Sequence, residues 1–214
     1  MSQKDLFSSL GSEGLSLPGA ELRLFQAWIE NKEASELYAS LSEGLVWTQP
    51  TIKIAGQTHK IPRLQSWVGE PEALYAYSGQ TFEPAAWTDE LLQLQARLKK
   101  EFGVLYNSVL VNWYRDGNDG VSWHADNEQE LGPNPSIASV SLGETRKFSF
   151  KPSPSNPHQA EAFNRALYLN NGDLLIMSGA TQKNWLHAIP KTRQVVGGRI
   201  NLTFRRVLAR NPSD

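Results

Sequence analysis

Two residues in Val121-Ser122-Trp123-His124-Ala125-Asp126 have types and spacing suited to chemistry. His124 and Asp126 stand at i and i+2, so on an extended strand both side chains point to one face. A third ligand from elsewhere, His187, would complete two imidazoles and one carboxylate around a metal. Such a set suits non-haem Fe(II), with the remaining positions open for substrate and dioxygen. It also fits catalytic zinc, so the triad alone does not choose the metal. Each residue also has an ordinary reading. A strand histidine near an aspartate is often a surface polar residue, and His187 in Trp185-Leu186-His187-Ala188-Ile189 reads equally as a core histidine.

A second pattern weighs toward chemistry. In Arg199-Ile200-Asn201-Leu202-Thr203-Phe204-Arg205, polar residues alternate with apolar ones. In a strand this puts two guanidiniums and an amide on one face and the hydrophobes on the other. Two inward arginines are costly without an anion to pair with. A dicarboxylic acid is such an anion, because the guanidinium fork binds carboxylates bidentately. The competing reading is a strand whose polar face meets water.

The elements that must position these groups are mostly strands. Spacing predicts helices at Lys32–Leu41, with Asn31 as cap, and at Thr88–Phe102, with Thr88 capping, Asp89 and Glu90 in the first turn and Gly103 ending it. Glu21–Ile29 could open as a strand, Thr51–Ile61 reads as a hairpin with its tip near Gly56, and Arg63–Ser78 has strand-like aromatic spacing. Strands are expected at Val109–Tyr114, Ser136–Leu142, Lys147–Phe150, Ala166–Leu169, Asp173–Met177, Asn184–Ile189 and Arg199–Phe204, with turn clusters between them. Many short strands of this kind suggest a sandwich or jelly roll.

Composition bounds the rest. The 214 residues suit one domain, and the net charge of −1 announces no polyanion partner, so nucleic-acid binding would need a local basic face. The absence of cysteine removes disulfides, Cys-ligated zinc and thiol catalysis. No apolar run approaches the ~20 residues of a membrane span, and no secretory signal is visible, so a cytoplasmic protein with no membrane partner is expected. Met1–Pro18, rich in Ser and Gly, is expected to be a mobile tail.

His124-x-Asp126, the distant His187 and Arg199-x-Asn201-x-x-x-Arg205 together resemble the signature of the AlkB family of Fe(II)/2-oxoglutarate dioxygenases. Further matching pieces are Ile61-Pro62-Arg63, Tyr75-x-Tyr77-Ser78-Gly79, Asn112-x-Tyr114-x-Asp116-Gly117, Ile137 to Gly143 and Asn201 to Arg205. They are most similar to the vertebrate-type DNA-repair branch and cover roughly Thr51 to Val207. The resemblance implies an α+β, mainly β fold: a double-stranded β-helix (jelly-roll) core over about 107–207, with N-terminal helices. It also implies a nucleotide-recognition lid of hairpins over about 50–80, within a single catalytic domain at 19–214.

The resemblance also implies roles. His124, Asp126 and His187 would bind Fe(II). Arg199 would grip the far carboxylate of 2-oxoglutarate, with Asn112 and Tyr114 as hydrogen-bond donors, and Arg205 and Asn201 would serve the other end. Tyr77 would stack on a flipped base, Trp67 would sit in the same lid, Glu128 would read the base's exocyclic amine, and Arg63 would contact substrate. Lys53, Lys60, Arg146, Lys147 and Lys151 are further candidates for phosphates. The implied activity is oxidative DNA dealkylation, demethylating N1-methyladenine and N3-methylcytosine with Fe(II), O2 and 2-oxoglutarate and releasing formaldehyde, succinate and CO2. A monomer acting on alkylated DNA, with RNA as another substrate class, is expected. The alternatives are an AlkB-like oxygenase for RNA or protein, and a non-catalytic jelly-roll binding module.

One position departs from the family pattern. A duplex-preferring relative fills the gap left by the flipped base with an aromatic finger at its first hairpin tip. Ala55 occupies that position here. A methyl cannot replace a stacked base, so single-stranded or mismatched substrate is expected to be preferred.

Overall fold

The computed structural model describes residues 16–73, 75–77, 80–158 and 163–208, without the side chains of 54, 75–77 and 80–82. Its strands are β1 (Glu21–Phe25), β2 (Thr51–Ile54), β3 (Gln57–Lys60), β4 (Leu64–Gly69), β5 (Tyr75–Tyr77), β6 (Gln80–Phe82), β7 (Ser108–Tyr114), β8 (Val121–His124), β9 (Ile137–Gly143), β10 (Arg146–Pro152), β11 (Arg165–Leu169), β12 (Leu174–Ser178), β13 (Trp185–Ile189) and β14 (Arg199–Arg205). The helices are α1 (Asn31–Gly44), α2 (Asp89–Phe102) and the single turn α3 (Thr181–Asn184). A six-stranded sheet runs β1-β12-β9-β14-β7-β4 and a four-stranded sheet runs β11-β10-β13-β8. The strand pairings in both are antiparallel, and most neighbours in space are distant in sequence, which is the jelly-roll arrangement.

Alternation on the large sheet sorts its residues into two layers. Val109, Val111, Ala138, Val140, Leu142, Leu174, Ile176, Ile200, Leu202 and Phe204 form one apolar cluster with Ala34 and Leu41 of α1 and Leu91, Leu94 and Leu98 of α2. The opposite face carries Asn112, Tyr114, Ser139, Ser141, Arg199, Asn201, Thr203 and Arg205, all buried. It therefore looks into the space between the sheets. Both faces of β14 are covered, so the solvent-facing reading of this strand does not hold.

The helices form for local reasons. Thr88 caps α2 by accepting from Leu91 N–H at 3.4 Å, two acids sit in its first turn, and Gly103 ends it at φ 75°. Asn31 does not cap α1. It is the first helical residue, after Glu30, and its side chain accepts from Asn171 Nδ2 at 2.5 Å instead. The hairpin β2–β3 turns at Ala55 (φ 48°) and Gly56 (φ 81°), so a two-residue turn with both central residues left-handed matches the twist of its strands.

The end of the Ser/Gly-rich stretch is anchored. Leu17 is buried, Trp185 donates to Pro18 O at 3.0 Å and Asn184 donates to Gly19 O at 2.8 Å. Residues 1–15 lie outside the described residues. Among the described residues, no helix is long and apolar enough to cross a membrane.

Candidate metal and co-substrate site

His124 and His187 meet because β8 and β13 pair antiparallel with these two residues in register. Asp126 arrives differently from the strand geometry expected of it. β8 ends at His124, and the following bend turns Asp126 inward, where its backbone N–H donates to Gln182 Oε1 at 3.0 Å. One ligand atom from each of the three residues lies within 4.8 Å of the others.

The protonation states suit a cation. His124 Nδ1 lies 2.8 Å from Ser122 O, so Nδ1–H donates there and Nε2 keeps its lone pair for a metal. Burial, and then His124, push His187 down to about 3, against the pull of Asp126, so this imidazole is neutral. Its ring stacks on Phe148, with centroids 5.2 Å apart and planes 17° off parallel. Burial favours the neutral acid of Asp126, but the Arg205 guanidinium and the two histidines outweigh it and hold the carboxyl below its ordinary range. Arg205 Nη2 donates directly to Asp126 Oδ1. Two imidazoles and a carboxylate therefore converge on one point.

Arg199 is fully buried at the other end of the chamber. Its Nη2 donates to Ser141 Oγ at 2.9 Å and to Asn201 Oδ1 at 2.7 Å. Its Nε and Nη1 have no partner among the described residues. Burial lowers its pKa to about 10, with Tyr114 opposing that shift, so the guanidinium stays charged at neutral pH. A buried cation with two unspent donor nitrogens calls for an anion. A bidentate carboxylate supplies two acceptors. The residues present thus fit both a divalent iron, which His124, Asp126 and His187 would hold, and a keto diacid, whose carboxylate Arg199 would bind.

The supporting residues place the remaining expectations. Asn201 accepts from Ser139 Oγ at 3.0 Å and donates to Thr203 Oγ1 at 2.8 Å, so its amide orients Arg199. Arg205 lies against the metal-binding carboxylate, and its Nη1 stands 3.8 Å from Glu128 Oε1. Asn112 Oδ1 accepts from Arg63 Nε at 2.9 Å and from Gln65 Nε2 at 2.8 Å. Tyr114 packs under the Arg199 and Arg146 guanidiniums, 5.5 and 5.9 Å from its ring centroid. Trp67 donates its indole N–H to Ala73 O at 3.0 Å within an apolar cluster, so packing fixes the ring that also forms part of the wall.

His124, Asp126, His187, Asn112, Tyr114, Arg199, Asn201, Arg205, Arg63, Glu128 and Trp67 all line one cavity of about 620 Å³. The Tyr77 side chain lies outside the described residues. Arg146 is not available to phosphate. It is buried and donates to the carbonyl oxygens of Asp116, Asp119 and Pro190 at 2.9–3.1 Å. Ser139, Ser141, Thr203 and Gln182 hold the site residues by hydrogen bonds, and sequence reading does not single them out for that. The period-two alternation of β9 in register with β14 was the available signal for Ser139 and Ser141.

Residues 21–205 match the 2OG-Fe(II) oxygenase superfamily. The rat alpha-ketoglutarate-dependent dioxygenase alkB homolog 3 is 39% identical over 188 residues, covering 86% of this chain and 63% of the relative. The mouse DNA oxidative demethylase ALKBH2 is 35% identical over 182 residues, covering 82% of this chain and 76% of the relative. The chain spans just under two thirds of the length of the alkB homolog 3 proteins it matches. Among solved structures, OsALKBH1 superposes with a TM-score of 0.56 at 16% identity, over 91% of this chain and 99% of the other. A 2OG-Fe(II) family oxidoreductase from Burkholderia pseudomallei gives 0.58 at 14% identity, over 99% and 95%. These two likenesses concern the fold.

Proposed function

Because the chain belongs to the 2OG-Fe(II) oxygenase superfamily, with AlkB proteins among its relatives, we propose that it removes N-methyl groups from alkylated DNA bases, N1-methyladenine and N3-methylcytosine foremost. The observation that carries this reading is the pairing of the His124–Asp126–His187 cluster with a buried Arg199 that keeps two donor nitrogens unspent. Bound Fe(II) and 2-oxoglutarate, with dioxygen, supply the oxidation that turns the methyl group into formaldehyde as the keto acid leaves as succinate and CO2.

The chain's own residues hold and exclude. Arg205 keeps Asp126 ionised, the Ser122 carbonyl fixes the His124 tautomer, and Phe148 orients His187. Arg199, held by Ser141 and Asn201, receives the distal carboxylate. Glu128, partly exposed beside the cluster, is an acceptor for an exocyclic amine. On this reading the hairpins β2–β3 and β5–β6 form the lid, Tyr77 is the residue that would stack on the flipped base, and Arg63 and Trp67 line the cavity.

The tip residue Ala55 carries a methyl where intrusion into a duplex needs a ring. The reading therefore includes a preference for single-stranded or mismatched DNA. Mass spectrometry of oligonucleotides carrying either lesion, offered as single strand and as duplex with Fe(II) and 2-oxoglutarate, tests both parts. Loss of 14 Da per methylated base (about one CH₂, the group removed in dealkylation) is expected, faster on the single strand. No mass change on any methylated DNA would overturn the substrate assignment, and conversion of methylated RNA alone would transfer it to RNA.

A further inference from the structure

The four-stranded sheet has an outer face that the chemistry above does not use. His124, His187 and Phe150 point inward, so their neighbours along each strand point outward. These include Trp123 on β8, which also borders the cavity, Leu186 on β13, Lys147 and Lys151 on β10, and Tyr168 on β11, while Ser149 and Ala188 between them are buried. Trp123 is 40% exposed and Tyr168 64%. Lys151 Nζ stands 4.9 Å from the Trp123 ring centroid, and Lys147 is the direct register partner of Tyr168.

No aspartate or glutamate occurs in any of the four strands, although the whole chain carries a net charge of −1. The sheet order puts the two rings on its two edge strands, with both lysines between them. Three strand spacings separate those edge strands by about 14 Å across the sheet. Exposed aromatics interleaved with cations, without carboxylates, are the chemistry of single-stranded nucleic-acid platforms: rings stack bases while ammonium groups follow the backbone. A protein partner of acidic character would meet the lysines but leaves the two exposed rings unexplained.

We infer that this outer face is a track for the single strand flanking the target base, beginning at Trp123, one residue from the metal ligand His124. The inference rests on the nucleic-acid reading above and names where the rest of that strand lies. Across this face, Trp123 and Tyr168 each stack a base, and Lys147 and Lys151 neutralise phosphates. The track explains how a chain without net positive charge holds a polyanion.

The test measures binding apart from turnover. Fluorescence anisotropy with the full chain and an unmodified, labelled single-stranded DNA is read across a salt series. Tyr168→Ala, far from the metal, should weaken binding about fivefold or more. Tyr168→Phe should restore it. Lys147→Gln and Lys151→Gln should each flatten the log–log salt slope by about 0.7. Trp123→Ala should weaken binding similarly, with Trp123→Phe keeping most of it. Circular dichroism confirms that each variant is folded. Unchanged affinity and slope in the folded Tyr168 and lysine variants would overturn the track, even if demethylation is found. Loss of binding in those variants would support it even if no methylated DNA is turned over, so the two readings fail separately.

Discussion

Arg205 donates from Nη2 to Oδ1 of Asp126, and both side chains are 3% exposed. A strand-borne cation thus sits behind the one anionic metal ligand and holds it ionised before any metal arrives. Removing either partner leaves a buried uncompensated charge. Arg205→Ala should cost about 3–5 kcal/mol of stability in the metal-free protein. Urea unfolding checks this. A loss below about 1 kcal/mol would show that water already reaches Asp126.

The metal ligands themselves should be indispensable to turnover. His187→Ala and Asp126→Ala each remove one of three ligand atoms that lie within 4.8 Å of one another. Succinate release from 2-oxoglutarate should fall to background in both. Iron content after dialysis should fall in parallel.

Arg199→Ala should act on the co-substrate rather than the metal. Two charge-assisted hydrogen bonds to a carboxylate disappear, so the KM for 2-oxoglutarate should rise on the order of 100-fold. Iron affinity measured without the keto acid should stay near that of the parent. Lysine should rescue poorly, since it cannot span Ser141, Asn201 and a carboxylate together.

Metal-free protein should lose stability on acidification. His187 in the folded state is pushed down to about 3 by burial, while the unfolded side chain titrates near 6.5. Between those values the unfolded chain binds a proton that the folded chain does not. The contribution is complete above about pH 6.5 and falls by about 1.4 kcal/mol per pH unit below it. His187→Gln should flatten that part of the profile in thermal melts. Asp126 adds to the loss only at lower pH, as its depressed carboxyl protonates.

Ala55→Gly should stabilise the β2–β3 hairpin. Ala55 holds φ 48°, where a Cβ costs roughly 1–2 kcal/mol. Slower amide exchange in 51–60 reads this out. Exchange unchanged or faster there would mean that the gain is lost to glycine's freedom in the open hairpin.

Much of the site was legible because residue type and short-range period are local. The alternation of Arg199, Asn201, Thr203 and Arg205 put the polar groups on one face, and the structure keeps it with both faces covered. The helix at 89–102 followed from Thr88, its apolar side and Gly103. Arg146 was misread as a phosphate contact because an arginine's exposure is not local: three loop carbonyls enclose it. Asn31 lost its cap role to a contact with Asn171, far along the chain.

By itself, then, the sequence determined the donor set, His124, Asp126, His187 and the arginines of β14, and the family to which that set belongs. Only the tertiary structure decided that β13 lies beside β8 in the register that brings the imidazoles together. It alone decided that Arg199 loses its water and keeps two donor nitrogens for a ligand. Strand order and desolvation arise from contacts between residues far apart in the chain, and no local pattern encodes them.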